Sequence, residues 1–420
     1  GSVLAVGSVQ QRALDEKVAK ARAVGFPFEA KDIEPKTKPA AGQNAAKLYL
    51  ALDPTLKSIA FTDPVGGPVA INKGVDRDLS KAELAALATY LLEAEPVLDL
   101  FTRASKMDGC YFEHDWSKGA MVLLPEYASV KQAAKMVAAR AYLRAGKSDL
   151  KAVDDLAAIR RAAAHVAQQP PLIALLVAIS LEAIEMRAVE KVLPFVWEDA
   201  DMCGALRDEV RLQPEQWDLS SQLRTEAFFA WWCSDRLPFD ADYSGFYGPA
   251  NDQPDALIKV GAKTATIVRG VKMKVLELHI PAIRDYIPGG NARAVYAALE
   301  TRSRTIESGS MVVGPLVSRM SPAYMAIPDG LDRHKARKLM LLAAFDVLEH
   351  RRKHGQWPSS LEVAGVKSKD PFGGRPLGYR IDGDGFRIWS VGADLADNGG
   401  LTSEEANSSS KRDEVLVLRP

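Results

Sequence analysis

The chain has 420 residues, 47% apolar and 26% charged, a composition that can bury a large core without disulfides or a structural metal. Lys and Arg number 54, and so do Asp and Glu. A net charge of zero argues against the basic field that general nucleic-acid binding needs and gives little attraction for anionic lipid heads, while leaving local charged patches open. Length alone predicts two or three domains, at roughly 150 residues each.

Gly1-Ser2 stand where a Met would open a gene product. They resemble a cloning remnant, and the expectation is that a native signal peptide or membrane anchor preceded Val3. The most apolar run, 171–184, is too short to span a bilayer and is interrupted by Glu182. Residues 1–79 read as an extended, irregular segment with one short helix over 45–52. Within it, Glu34-Pro35-Lys36-Thr37-Lys38-Pro39 reads as a connector. Ser80-Lys81-Ala82-Glu83 has the spacing of a capping box. Leu84, Leu87 and Leu91 continue it as a helix that Pro96 bends or ends.

Residues 130–193 are predicted to be almost entirely helical, broken at Gly146-Lys147-Ser148-Asp149 and at Gln168-Gln169-Pro170-Pro171. Their alanine-rich faces favour close antiparallel packing. Ala141, Tyr142, Leu143, Gly146, Ala152, Leu156 and Pro170 resemble one tetratricopeptide-type unit. A solenoid needs about three repeats, so a plain antiparallel pair is the favoured reading.

A further helix is expected over 214–232, with Phe228, Phe229, Trp231 and Trp232 read as buried rather than as a ligand groove. Residues 236–256, rich in Asp, Pro, Gly and Tyr, read as a long surface loop. Helices follow over 264–287, divided by Pro281, and over 291–306. Residues 80–330 therefore form a helical body, and 331–420 a separate α+β end.

That end starts with the best-defined helix of the chain, 332–354, whose apolar stripe runs from Ala336 through Met340 to Val347. Arg351, Arg352, Lys353 and Gly355 suit its C-terminus, whereas Arg333, His334 and Lys335 oppose the dipole at its start. Leu377, Tyr379 and Ile381 alternate as one strand; Phe386, Ile388 and Ser390 alternate as a second. Asp382-Gly383-Asp384-Gly385 is the turn between them, and 414–418 makes a third strand. Trp357 and Phe372 are expected to be mostly buried at the junction of helix and sheet.

Between these elements lie Gly355-Gln356-Trp357-Pro358-Ser359-Ser360-Leu361, then Asp370-Pro371-Phe372-Gly373, then Ser390-Val391-Gly392-Ala393-Asp394. In this order and spacing, residues 332–417 resemble the periplasmic part of the major pseudopilins of type II secretion, with their Asp-Pro-Trp-Gly and Ser-x-Gly-Ala-Asp signatures. The whole layout is similar to large envelope proteins of bacteria such as planctomycetes that append this module to a helical body. The resemblance implies a long helix on a small antiparallel sheet, an extracytoplasmic location in the periplasm or envelope, and envelope or secretion-system proteins as partners. It also implies calcium in the loop after the second strand, with Asp394, Asp397, Asn398 and Asp413 as ligands; a solvated acidic loop is the alternative. Some 330 residues precede the module and its helix has no twenty-residue apolar stem, so filament packing of the pseudopilin kind is not expected.

No other motif carries chemistry. Asp382 and Asp384 begin an EF-hand-like pattern that Phe386 and Arg387 break. The run Cys110-Tyr111-Phe112-Glu113-His114-Asp115 gathers a thiol, an imidazole and carboxylates, but adjacency in sequence does not make a catalytic pair, and a structured loop is the favoured reading. Cys110, Cys203 and Cys233 form no CxxC pair; three buried thiols are favoured over a Cys203–Cys233 bridge. His165 and His279 lack a second ligand at i+4, and no GxSxG, P-loop or dinucleotide fingerprint is present. The sequence therefore reads as a non-enzymatic extracytoplasmic envelope protein with a binding or structural role. An exported hydrolase and a cytoplasmic helical scaffold are the rivals.

Overall fold

In the computed structural model, residues 2–59, 79–214, 216–236, 264–320, 324, 326–402, 405 and 413–419 are described. They are mostly helical, with one small antiparallel sheet near the C-terminus. The surface loop expected over 236–256 lies almost wholly outside them.

Within the segment expected to be irregular, the short helix expected over 45–52 forms as α2 (Ala46–Leu50), but two further helices flank it: α1 (Ser2–Ala23) and α3 (Leu52–Ser58). Leu14, Val18 and Ala21 do fall at helical spacing, but such a narrow stripe becomes decisive only when a partner covers it. The chain after α1 turns at Gly25, whose φ of +71° suits glycine.

Helix α4 (Lys81–Glu93) opens with the expected capping box: Glu83 N donates to Ser80 Oγ at 3.3 Å, and Ser80 N donates to the Glu83 carboxylate at 2.8 Å. Pro96 sits in the first turn of α5 (Glu95–Ser105), where a missing N–H costs nothing. Helices α6 (Glu126–Ala145), α7 (Lys151–Ala167) and α8 (Leu172–Val196) follow with short connections and pack on one another. Ala134, Ala138, Ala141, Ala152, Ala158 and Ala162 are buried among them, and side chains this small bring the axes close. Across that seam the buried Asp155 accepts from Arg140 at 2.7 Å and from Arg144 at 2.7 Å. Arg140 also donates to Thr102 on α5 at 3.1 Å, so three helices share one carboxylate-centred knot. Helix α9 (Ala200–Arg211) closes this group.

A second group is built from α10 (Ser220–Arg236), α11 (Ala265–Asp285), α12 (Ala292–Ser308) and α13 (Val313–Arg319). Pro281 was expected to divide α11, yet the helix runs through it. Neighbours α1, α10, α12 and α13 hold that helix on several sides and outweigh the lost hydrogen bond. Phe228 and Trp231 are buried as expected, Phe229 and Trp232 are only half-buried, and Phe26 and Phe28 meet Trp231 edge-on at centroid distances of 6.2 and 5.0 Å.

The last helix, α14 (Ala326–His354), begins six residues earlier than the sequence pattern suggests. Asp329 therefore occupies its first turn, and Arg333, His334 and Lys335 lie beyond the positive end of the dipole. The C-terminus is as expected: Gly355, at φ +74°, donates to Arg351 O at 2.8 Å. Strands β1 (Gly378–Asp382), β2 (Gly385–Ser390) and β3 (Glu414–Leu418) form an antiparallel sheet in the order β1-β2-β3. The β1–β2 turn is Gly383-Asp384, with Gly383 at φ +61°, the place where a two-residue hairpin loop calls for glycine. Central β2 is buried throughout; Phe386 and Ile388 join the core beneath α14. Leu377 is buried and Tyr379 half-buried, but Ile381 at the hairpin end is 50% exposed. Trp357 and Phe372 are half-buried rather than mostly buried. Arg351 lies over the Trp357 ring at 5.1 Å, and Phe386 meets that ring edge-on at 5.3 Å.

The buried core does not follow the three-part division of the sequence. One core joins Ala45–Val210 side chains with Met340–Leu348, Leu361, Leu377, Phe386, Ile388, Leu416 and Leu418. The other joins Leu14–Phe26, Leu172, Leu175 and the α10–α13 side chains with Ile327. Helix α14 thus crosses from the second core into the first, packing on α8 and α9 as well as on β2 and β3.

Candidate functional site

The loop after β2 folds back over the outer face of the sheet. Asp413, just before β3, accepts from Asn398 N at 3.1 Å and from Gly400 N at 2.8 Å. Asp397 accepts from Gly399 N at 2.9 Å and from the Trp389 indole N–H at 2.9 Å. Asn398 donates its amide to Ala396 O at 3.0 Å. Burial, and then the nearby charge of Asp397, pushes the Asp413 carboxyl upward. The structure thus brings Asp397, Asn398 and Asp413 to one loop. Asp394 stays exposed in its own turn, accepting from Ala396 N at 3.2 Å. In this arrangement the carboxylates pin backbone N–H groups. Among the described residues, no three His, Cys, Asp or Glu side chains are gathered so as to hold a metal ion.

The adjoining turn explains why two of the sequence signatures occur together. The buried carboxylate of Asp370 accepts from Phe372 N at 2.9 Å, Ser390 Oγ at 2.8 Å and Val391 N at 2.8 Å. One carboxylate of the Asp-Pro-Phe-Gly turn therefore fastens the serine that opens Ser-Val-Gly-Ala-Asp. On the other face of the sheet, beside Trp389, Arg387 donates to Asp382 at 2.7 Å and to Glu405 at 2.7 Å, drawing the loop down onto the sheet.

The Cys110–Asp115 run is structural. Cys110 is buried, and burial together with the Glu126 charge drives its thiol far above the range of a reactive cysteine. His114 turns its Nε2 to Glu126 Oε1 at 3.0 Å. Backbone groups of the run are held by Asn44 and Gln169: Tyr111 N donates to Asn44 Oδ1 at 2.9 Å, and Gln169 donates to Cys110 O at 2.7 Å. All three cysteines are buried and free. His165 lies between Tyr49 Oη at 3.2 Å and Met107 O at 3.0 Å. His279 is fully enclosed, and burial lowers it to about 4.

Two further constellations escaped the sequence reading. The first is a buried ionic cluster where α7, α8, α9 and α14 meet. Glu182 and Glu185 of α8, Glu209 of α9, and His334 and Lys338 of α14 are all buried. Arg160 pairs with Glu209, Gln213 donates to Glu185 at 3.0 Å, Lys338 donates to Arg211 O at 3.2 Å, and His334 Nε2 lies 3.0 Å from Glu182 Oε2. Burial, followed by the charges of Glu209 and Glu182, holds Glu185 well above the usual carboxylate range. The signal in the sequence was two glutamates at i, i+3 in the most apolar helix, facing a His and a Lys at i, i+4.

The second is a groove of about 510 Å³ between α4, α6 and α8. Among the described residues its walls include Tyr90, Leu124, Tyr127, Met136, Ile173 and Val177, with Lys131 and Lys135 at its rim. Neither lysine has an ion-pair partner among the described residues. Burial and the charge of Lys131 both lower Lys135. A volume of this size with mainly apolar walls and a few charged groups is the usual form of a small-ligand site.

Compared with known protein families, curated proteins and solved structures, the chain has no match.

Proposed function

We propose that the protein is a non-enzymatic extracytoplasmic envelope protein with a binding or structural role, and that its C-terminal helix and sheet are a pseudopilin-like unit. The observation that carries this reading is Asp370, whose carboxylate accepts from Ser390 Oγ and Val391 N and so joins the two signatures on which the resemblance rests. The long helix packed on a three-stranded sheet is in keeping with it. The opposite face of α14 is covered by α8 and α9. A pseudopilin-like unit held this way serves as a fixed part of a larger body, and its partners are envelope or secretion-system proteins rather than nucleic acid. The α6–α7 pair is read as plain antiparallel packing within that body. Fractionation of native cells with an antiserum tests the location: recovery with the envelope supports the reading, and recovery in the cytosol overturns it.

Calcium at the loop of Asp394, Asp397, Asn398 and Asp413 belongs to the same proposal, supported by the resemblance and by the proximity of Asp397 to Asp413. A cation there would have to displace N–H groups from Asp413 and draw Asp394 inward. Melting curves of metal-stripped protein with calcium and with chelator test it. A higher midpoint in calcium, lost in Asp394→Ala, supports the site; coincident curves remove it.

A further inference from the structure

We infer that the groove between α4, α6 and α8 binds a single-chain amphiphile with a carboxylate head, the head on Lys131 and Lys135 and the chain along the apolar wall of Leu124, Met136, Ile173 and Val177. This inference does not rest on the C-terminal resemblance.

Lys131 and Lys135 stand one turn apart on α6, so their ammonium groups repel each other. No carboxylate among the described residues pairs with either. Both are half-buried at the mouth of the groove, where repulsion is screened less than at an open surface. Burial, and then the charge of Lys131, lowers Lys135. An anion placed between them removes the repulsion and gains two charge-assisted hydrogen bonds. The rest of the lining is mainly apolar, with Gln132 and the two tyrosines as its other polar side chains. Ile173 is 47% exposed there, an apolar side chain that a bound chain would cover. Met136 is flexible enough to adjust to the chain. Tyr127 lines the same groove, and its buried hydroxyl has no hydrogen-bond partner among the described residues. Burial keeps it protonated, so it can donate to the head group as well. A neutral lipid would leave two ammonium groups desolvated without compensation. A phosphorylated peptide or nucleic acid would place polar backbone against the apolar wall. A free carboxylate-headed chain satisfies both halves of the groove.

The test uses the whole chain and sodium dodecanoate below its micelle concentration, followed by titration calorimetry. Saturable one-to-one binding is expected, with acetate and dodecanol each much weaker because each supplies only half of the interaction. The double variant Lys131→Gln, Lys135→Gln is expected to weaken dodecanoate at least about tenfold, the loss of charge-assisted contacts. Lys131→Arg, Lys135→Arg should retain most of the affinity. Val177→Trp, with unchanged circular dichroism, should block the chain and abolish binding. Dodecanol binding as tightly as dodecanoate would overturn the inference, since the groove would then be merely apolar. So would insensitivity to the glutamine pair, the absence of saturable binding, or binding to anionic vesicles of phosphatidylglycerol without binding of the free chain.

Discussion

Asp155 shows how much a single side chain carries in a helical body built from alanine faces. Its carboxylate is buried, and it is the shared acceptor of Arg140 and Arg144, so removing it takes the carboxylate from Arg144 and leaves Arg140 with Thr102 and the more distant Glu95. Asp155→Ala is expected to cost about 3 kcal/mol in urea unfolding, the loss associated with breaking a buried ion pair from one side. His279 acts through its proton. Burial lowers it to about 4, so between pH 6.5 and 4 the unfolded chain binds a proton that the folded chain refuses. Stability therefore falls as pH drops through that window, by about 3 kcal/mol for a shift of this size. His279→Leu should flatten that part of the stability profile. Glu226 is pushed up by burial to about 7 and works in the opposite sense. Its folded form holds a proton that the unfolded chain releases above about pH 4.5, so stability falls as pH rises towards 7. The two slopes oppose each other in the wild-type protein, and each is visible only against its own variant. Neither group was identifiable as titrating abnormally from sequence, because nothing local to His279 or Glu226 says that the second core encloses them.

At the scale of elements, local chemistry and tertiary packing divide the outcome clearly. The capping box at Ser80, the Gly383-Asp384 hairpin and the basic, glycine-ended C-terminus of α14 formed as their residues require, because each is closed by contacts a few residues apart. Helix α1, the passage through Pro281 and the early start of α14 depended on neighbours. Pro281 leaves the Glu277 carbonyl without its helical donor, and the helix persists because four others hold it. Pro281→Ala is expected to raise stability by between about 1 and 3 kcal/mol, a gain tempered by the looser unfolded chain. Thermal unfolding followed by circular dichroism at 222 nm checks it; an unchanged or lower midpoint would mean that the ring itself packs usefully. Of the site residues expected in the last loop, Asp397, Asn398 and Asp413 meet because β3 returns beside β2. Asp394 does not join them, since its carboxylate closes a turn on its own backbone.

For the molecule as a whole, α14 is the element that decides cooperativity. Its first turn belongs to one core and its middle to the other, and its buried His334 and Lys338 enter an ionic cluster fed by α7, α8 and α9. A fragment of residues 331–420 would expose the face that α8 and α9 cover, including those charged groups. It is expected to show no cooperative melting transition, whereas the whole chain should retain one; a sharp transition in the fragment would show that the sheet and helix fold without the body. What the sequence by itself determined was the helical body, the three strands with their order along the chain, and the turn chemistry between them. Those follow from periodicity, capping and glycine placement, all of which act over a few residues. What only the tertiary structure decided was the joining of body and C-terminal unit into a shared core, the meeting of Glu182, Glu185 and Glu209 with His334 and Lys338, and the lysine-rimmed groove beside Ile173. Each of these unites helices tens to hundreds of residues apart, and the free energy that brings such residues together is burial of surface on a partner that no local pattern names.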